Sequence, residues 1–138
     1  MTYGPNTQAV QSIIDRIPTL TYAEVNRLGA SWSAAWSAAW RAAWGASRSA
    51  DWGTARSAAW YATWGAAWGA ARSAARSAAW DATWGASRDA LLATVTYDLA
   101  TIDGPYTIAQ RDLLLAPWVS VCGMPEALIA TAALDGER

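Results

Sequence analysis

Histidine, lysine and phenylalanine do not occur in this chain of 138 residues, and cysteine occurs once. Without histidine the chain has no side chain that ordinarily exchanges a proton near neutral pH, and Cys122 has no evident base to activate it. A single cysteine also excludes an internal disulfide and a cysteine-based metal cluster, so Cys122 reads as a small core residue. With lysine absent, all ten cations are arginine, set against eight aspartates and three glutamates for a net charge of -1. That balance argues against an electrostatic nucleic-acid binder, which should be clearly basic. The longest charge-free part of the central repeat, between Arg56 and Arg72, is 15 residues, short of the roughly 20 needed to span a bilayer. The opening MTYGPNTQAV lacks the basic and apolar runs of a signal peptide, so a cytoplasmic location is expected. No proline occurs between Pro18 and Pro105, and nothing of that kind interrupts a helix over the intervening length.

What fills that length is a repeat of four residues. Every fourth position from Trp32 reads Trp32, Trp36, Trp40, Trp44, Arg48, Trp52, Arg56, Trp60, Trp64, Trp68, Arg72, Arg76, Trp80, Trp84, Arg88 and Leu92. Ten of the eleven tryptophans lie in this register, and the position two residues later is alanine from Ala34 to Ala90 except at Thr54. Alanine is the strongest helix former, so the stretch should be α-helical. Four residues overshoot one helical turn by about 40°, and the Trp/Arg ridge therefore circles the helix once in about 36 residues. A helix apolar all the way round is normally buried on every side. A coarser repeat of 20 residues, starting at Ala38, Ala58 and Ala78, looks like duplication of a five-tetrad block. Its units lack the turn that a helical solenoid requires.

The fold class expected is all-α. One very long tetrad-repeat helix, spanning 21–101 and possibly broken near Gly65–Gly69, is flanked by a short N-terminal helix (1–20) and a short-helix cap (102–138). Unbroken from Tyr22 to Ala100, that helix would be roughly 118 Å long, whereas a compact domain of this size has a radius of gyration near 14 Å by the usual scaling. Either the helix folds back at Gly65–Gly69, or the molecule is elongated and buries its tryptophans against other copies. Gly65-Ala66-Ala67-Trp68-Gly69 has no polar turn residue, which favours the elongated oligomer.

The flanks carry clearer local signals. Asn6 or Thr7 can cap a first helix bearing Val10, Ile13, Ile14 and Ile17, closed by Pro18. Thr21-Tyr22-Ala23-Glu24 reads as a capping box, and Gly29 with Ser31 offers a point of interruption soon after. Asp103-Gly104-Pro105 is a break, Thr107-Ile108-Ala109-Gln110 a second capping box, and Pro117 should close the helix that follows. Met124-Pro125-Glu126 should open a last helix.

The candidate site is an interface: Trp32, Trp36, Trp40, Trp44, Trp52, Trp60, Trp64, Trp68, Trp80 and Trp84, with Gly65 and Gly69. An uncovered stripe of indoles would be an aggregation site, so a partner surface is the default cover. Arginines four residues from tryptophans, such as Trp44 with Arg48 and Trp84 with Arg88, suit cation–π contact. Five glycines each follow a tryptophan at about 1 kcal/mol apiece relative to alanine. The Gly65-x-x-x-Gly69 pair would let a second backbone approach closely, although repeat slippage accounts for small residues equally well. Asp51, Asp81 and Asp89 read as residues that solvate the helix or pair with Arg48 and Arg88. No catalytic, cofactor or metal site is expected. The reading is a non-enzymatic, self-associating helical protein. The alternatives are a Trp/Arg membrane-surface binder and, disfavoured by the charge, a single-strand nucleic-acid binder.

The AAW-D/G/R tetrads, preceded by TYAEVNRLGA and followed by RDLLLAPWVSVCG, resemble a loose group of Ala/Trp/Arg-rich small proteins of actinobacteria and their bacteriophages. The resemblance runs from about Thr21 to Gly123 and rests most on Leu115-Ala116-Pro117-Trp118 with its flanks. It implies a phage or actinobacterial origin, hence the host cytoplasm or a virion as location and a host or virion protein as a further partner. It assigns no residue roles.

Overall fold

The computed structural model describes residues 3, 4, 6–35, 37–48, 54–75, 80–99, 106–125 and 128, with backbone alone at 54–57, 80, 82, 98 and 99. Among these the chain is all-α. Its helices are α1 (Thr7–Arg16), α2 (Tyr22–Ala34), α3 (Ala38–Arg48), α4 (Thr54–Ala74), α5 (Trp80–Leu99) and α6 (Ile108–Cys122), with one 3₁₀ turn at Ile17–Thr19.

The tetrad stretch is thus divided among α2, α3, α4 and α5, and these fold back on one another instead of forming a single rod. The turn after α2 has a local cause. Ser37 Oγ accepts from the Trp40 backbone N–H at 3.3 Å, so a serine inside the repeat serves as the N-cap of a new helix. Gly65 and Gly69, the expected break, lie inside α4, which runs through both. Segmentation removes the difficulty posed by the circling ridge. At about 40° of drift per tetrad, a helix holding three or four tetrads keeps its ridge within about 120°. Each new helix resets the phase, and among the described residues Trp40 of α3 and Trp60 of α4 point into the core. The length that demanded partner copies along the whole ridge is gone.

The helix buried on every side is α5. It touches each of the other five described helices, and from Thr83 to Tyr97 only Trp84 and Arg88 are even half-exposed. Small residues at Gly85, Ala86, Ser87, Ala90 and Ala93 let neighbours approach it closely, and two of its hydroxyls find partners within the helix. Ser87 Oγ donates to the Thr83 carbonyl at 2.9 Å and Thr94 Oγ1 to the Ala90 carbonyl at 2.8 Å. Val10, Ile13 and Ile14 of α1 and Leu114, Leu115 and Trp118 of α6 join the same continuous core. Helices α1 and α6 therefore complete the packing around α5.

Both capping boxes form. The Thr21 N–H donates to Glu24 Oε1 at 2.9 Å and the Glu24 N–H to Thr21 Oγ1 at 3.2 Å; Thr107 and Gln110 exchange the equivalent bonds at 2.8 and 3.2 Å. Two expected stops do not occur. Helix α2 continues through Gly29 and Ser31 to Ala34, and α6 continues past Pro117 to Cys122. Proline removes the bond to the Leu113 carbonyl, but Leu113 is exposed, so water can take the place of the lost donor. The break at Asp103-Gly104-Pro105 and most of the helix expected from Met124 lie outside the described residues.

Candidate functional site

The tetrad tryptophans separate into two groups according to what their indoles meet. Trp40 and Trp60 are only 3% exposed and belong to the chain's own core, which corrects their placement at an interface. Trp60 Nε1 donates to Thr96 Oγ1 at 3.1 Å, and that hydroxyl is also hydrogen-bonded to Ser47 Oγ at 2.9 Å. Thr96→Val keeps the shape of this site but deprives both partners, so a loss of about 1–3 kcal/mol is expected in denaturant unfolding.

Trp32, Trp44, Trp64, Trp68 and Trp84 are half-buried. The last three stack edge to face where α4 meets α5: Trp64 on Trp68 at 5.7 Å and Trp68 on Trp84 at 4.2 Å between ring centroids. Trp36 and Trp52 lie outside the described residues, as does the side chain of Trp80. Gly65 and Gly69 are exposed on α4, and a Cβ at either would meet nothing within 4 Å.

Trp32 and Trp44 converge on an acid that its sequence context leaves either to solvate the helix or to pair with an arginine. Asp89, on α5, is fully buried. Its Oδ2 accepts from Trp32 Nε1 at 2.9 Å, and its Oδ1 from Trp44 Nε1 at 3.0 Å. Arg88 Nε and Nη2 also reach Oδ1, at 3.1 and 3.0 Å. Burial pushes the carboxyl's pKa above the ordinary range, against the opposing pull of Arg88 and the two indoles. With both oxygens occupied and no solvent access, Asp89 holds α2 and α3 onto α5 and is not placed to react. A signal for it existed: eight uncharged residues, Ala90 to Tyr97, follow it directly.

Beside this cluster, Trp40, Arg41, Trp44, Gly45 and Arg88 line an open groove of about 620 Å³ between α3 and α5. Arg48 lies over the Trp44 ring at 5.0 Å, the pairing its spacing suggests, and Arg88 lies over the same ring at 5.3 Å from the neighbouring helix.

Among the described residues no cluster of His, Cys, Asp or Glu could hold a metal ion, and no helix is long and apolar enough to cross a membrane. No protein-family model matches the sequence, and no curated protein or solved structure matches it significantly.

Proposed function

We propose that the protein is a non-enzymatic helical interaction protein that pairs with a second copy of itself through the outer face of α4. The carrying observation is the openness around Gly65 and Gly69. Each costs about 1 kcal/mol relative to alanine inside a helix, and no neighbour within the chain comes close enough to require either. The two belong to an exposed column, Ala58, Ala62, Gly65 and Gly69, at spacings of four, three and four residues, with Tyr61 66% exposed at its edge. A column of small residues is self-complementary across a twofold axis, because each backbone can enter the shallow groove of the other. Tyr61 supplies the large amphipathic side chain that such a patch otherwise lacks. The role this suits is assembly or host interaction.

Sedimentation of the whole chain tests the proposal. The parent is expected to exceed the 14.7 kDa monomer mass at micromolar concentration. Gly65→Leu with Gly69→Leu should return it to monomer with its helix content intact, since both Cβ positions are open within the chain. A parent that stays monomeric throughout, or a double variant that associates as well as the parent, would remove the proposal.

A further inference from the structure

We propose that Trp32 is a redox-active residue at the end of a tryptophan relay. It yields one electron to a one-electron oxidant at the surface and passes its indole proton to Asp89. The relay begins where α4 meets α5. Trp64, Trp68 and Trp84 are half-buried there, so an oxidant in solution can touch their rings. Ring centroids lie 5.7 Å apart from Trp64 to Trp68 and 4.2 Å apart from Trp68 to Trp84, close enough for an electron vacancy to pass between π-systems. Gly85 follows Trp84 in α5, and the Trp32 ring lies hard against it, 2.3 Å from where a Cβ would stand. The vacancy thus reaches Trp32 across a single residue.

What holds it there is a base. Removing an electron from an indole makes its N–H a far stronger acid, so the radical settles where a proton acceptor is already hydrogen-bonded. Trp60 donates to the Thr96 hydroxyl, which is no base at neutral pH. Trp32 Nε1 donates to Asp89 Oδ2 at 2.9 Å, and an ionised carboxylate is an acceptor able to keep the proton. Burial strengthens that tendency. Trp44 shares the carboxylate through Oδ1, which also accepts from Arg88 Nε and Nη2. A proton on Oδ1 would have to displace Arg88, whereas one on Oδ2 leaves those bonds in place. Arg48 and Arg88 over the Trp44 ring, at 5.0 and 5.3 Å, further oppose a positive vacancy there. After the step Trp32 is a neutral indolyl radical, Asp89 a neutral acid, and the oxidant one electron richer. Asp89 meets no outside reactant and takes only the proton of a bond it already accepts. None of this uses the outer face of α4, so it stands independently of self-association.

Flash photolysis of the full chain with tris-bipyridyl ruthenium, converted to ruthenium(III) by a cobalt(III) pentammine quencher, tests this. Transient absorption separates the deprotonated indolyl radical from the radical cation, and electron paramagnetic resonance of frozen samples follows its persistence. The parent should form a persistent deprotonated radical. Trp32→Phe should lose it, and Trp44→Phe should keep it. Asp89→Asn still offers an oxygen to the indoles but cannot hold the proton, so the radical cation should appear in its place. Each variant is compared with the parent by circular dichroism. The parent equilibrated in deuterium oxide should form the deprotonated radical more slowly, because the proton moves in the step, and this readout needs no variant. The proposal is overturned by a parent that forms no persistent radical, or by one whose radical forms equally fast in deuterium oxide. The same radical in folded Trp32→Phe or folded Asp89→Asn overturns it as well.

Discussion

Replacing Asp89 with alanine is expected to destabilise the fold by about 3–5 kcal/mol, the cost usual when one partner of a buried charged pair is removed. The substitution strands three groups at once. The Trp32 and Trp44 indole N–H groups lose their acceptor, and Arg88 keeps its charge at a site where its side chain is 23% exposed. Each stranded buried donor costs about 1–3 kcal/mol, and the half-exposure of the indoles brings the sum toward the lower part of that total. Domains of this kind are stable by about 0.05–0.15 kcal/mol per residue, so the loss is a large share of the whole. Urea unfolding at neutral pH should show a lower midpoint with an unchanged slope. A loss below about 1 kcal/mol would mean that Asp89 does not fasten α2 and α3 to α5.

The same carboxyl should also leave a signature in pH. Its folded pKa is raised by burial, so between its unfolded value near 3.9 and its folded value the native state binds the proton and the unfolded state releases it. Stability from this group is complete below about pH 3.9 and is lost as pH rises through the folded pKa. Asp89→Asn cannot titrate, and the stability of the parent relative to this variant should therefore fall with rising pH over that window. The two effects are compatible. A buried ion pair can have little net worth while breaking it by half remains expensive.

Local chemistry was the most legible part of this sequence. Thr21 with Glu24 and Thr107 with Gln110 close their boxes with the bonds that their spacing implies, because a capping box is decided within four residues. The all-α class follows from the alanine load for a similar reason. The tertiary arrangement was hidden by the repeat itself. In a sequence where serine recurs throughout, nothing local distinguishes Ser37, which caps α3, from Ser33, which lies inside α2. The tetrad register marks which residues are large, but the partner of each indole depends on where the helices break. Trp32 and Trp60 occupy equivalent positions in the repeat, yet one meets a carboxylate and the other a threonine hydroxyl. For Asp89 the pairing with Arg88 was legible in the repeat and forms, whereas its burial was not, because an acid in an arginine-containing repeat is normally solvated and only its long uncharged sequel pointed inward.

The glycines provide the sharpest test of that distinction, since Trp-Gly-Ala occurs in identical form around Gly45, Gly65, Gly69 and Gly85. Alanine at Gly85 would place its Cβ 2.3 Å from Cε2 and 2.4 Å from Cδ2 of the Trp32 indole. No rotation of a methyl group relieves such an overlap, so the indole must swing away, and in doing so it releases Asp89 Oδ2. Overpacking of this kind costs about 1–3 kcal/mol, and a lost hydrogen bond to a charged group about 1.5–3 kcal/mol. The gain in helix propensity returns about 1 kcal/mol, for a net loss of about 1.5–5 kcal/mol. At Gly45, Gly65 and Gly69 the added Cβ meets open space, and alanine should stabilise the dilute monomer by about 0.4–1 kcal/mol at each. One substitution in one tripeptide should thus change sign with position. Trp32→Leu should restore much of the loss in Gly85→Ala, because a smaller side chain leaves room for the methyl, and a double-mutant cycle on the pair should give a coupling above about 1 kcal/mol. If Gly85→Ala raises the unfolding midpoint as its three counterparts do, Trp32 does not lie against α5 and the fastening at Asp89 fails with it.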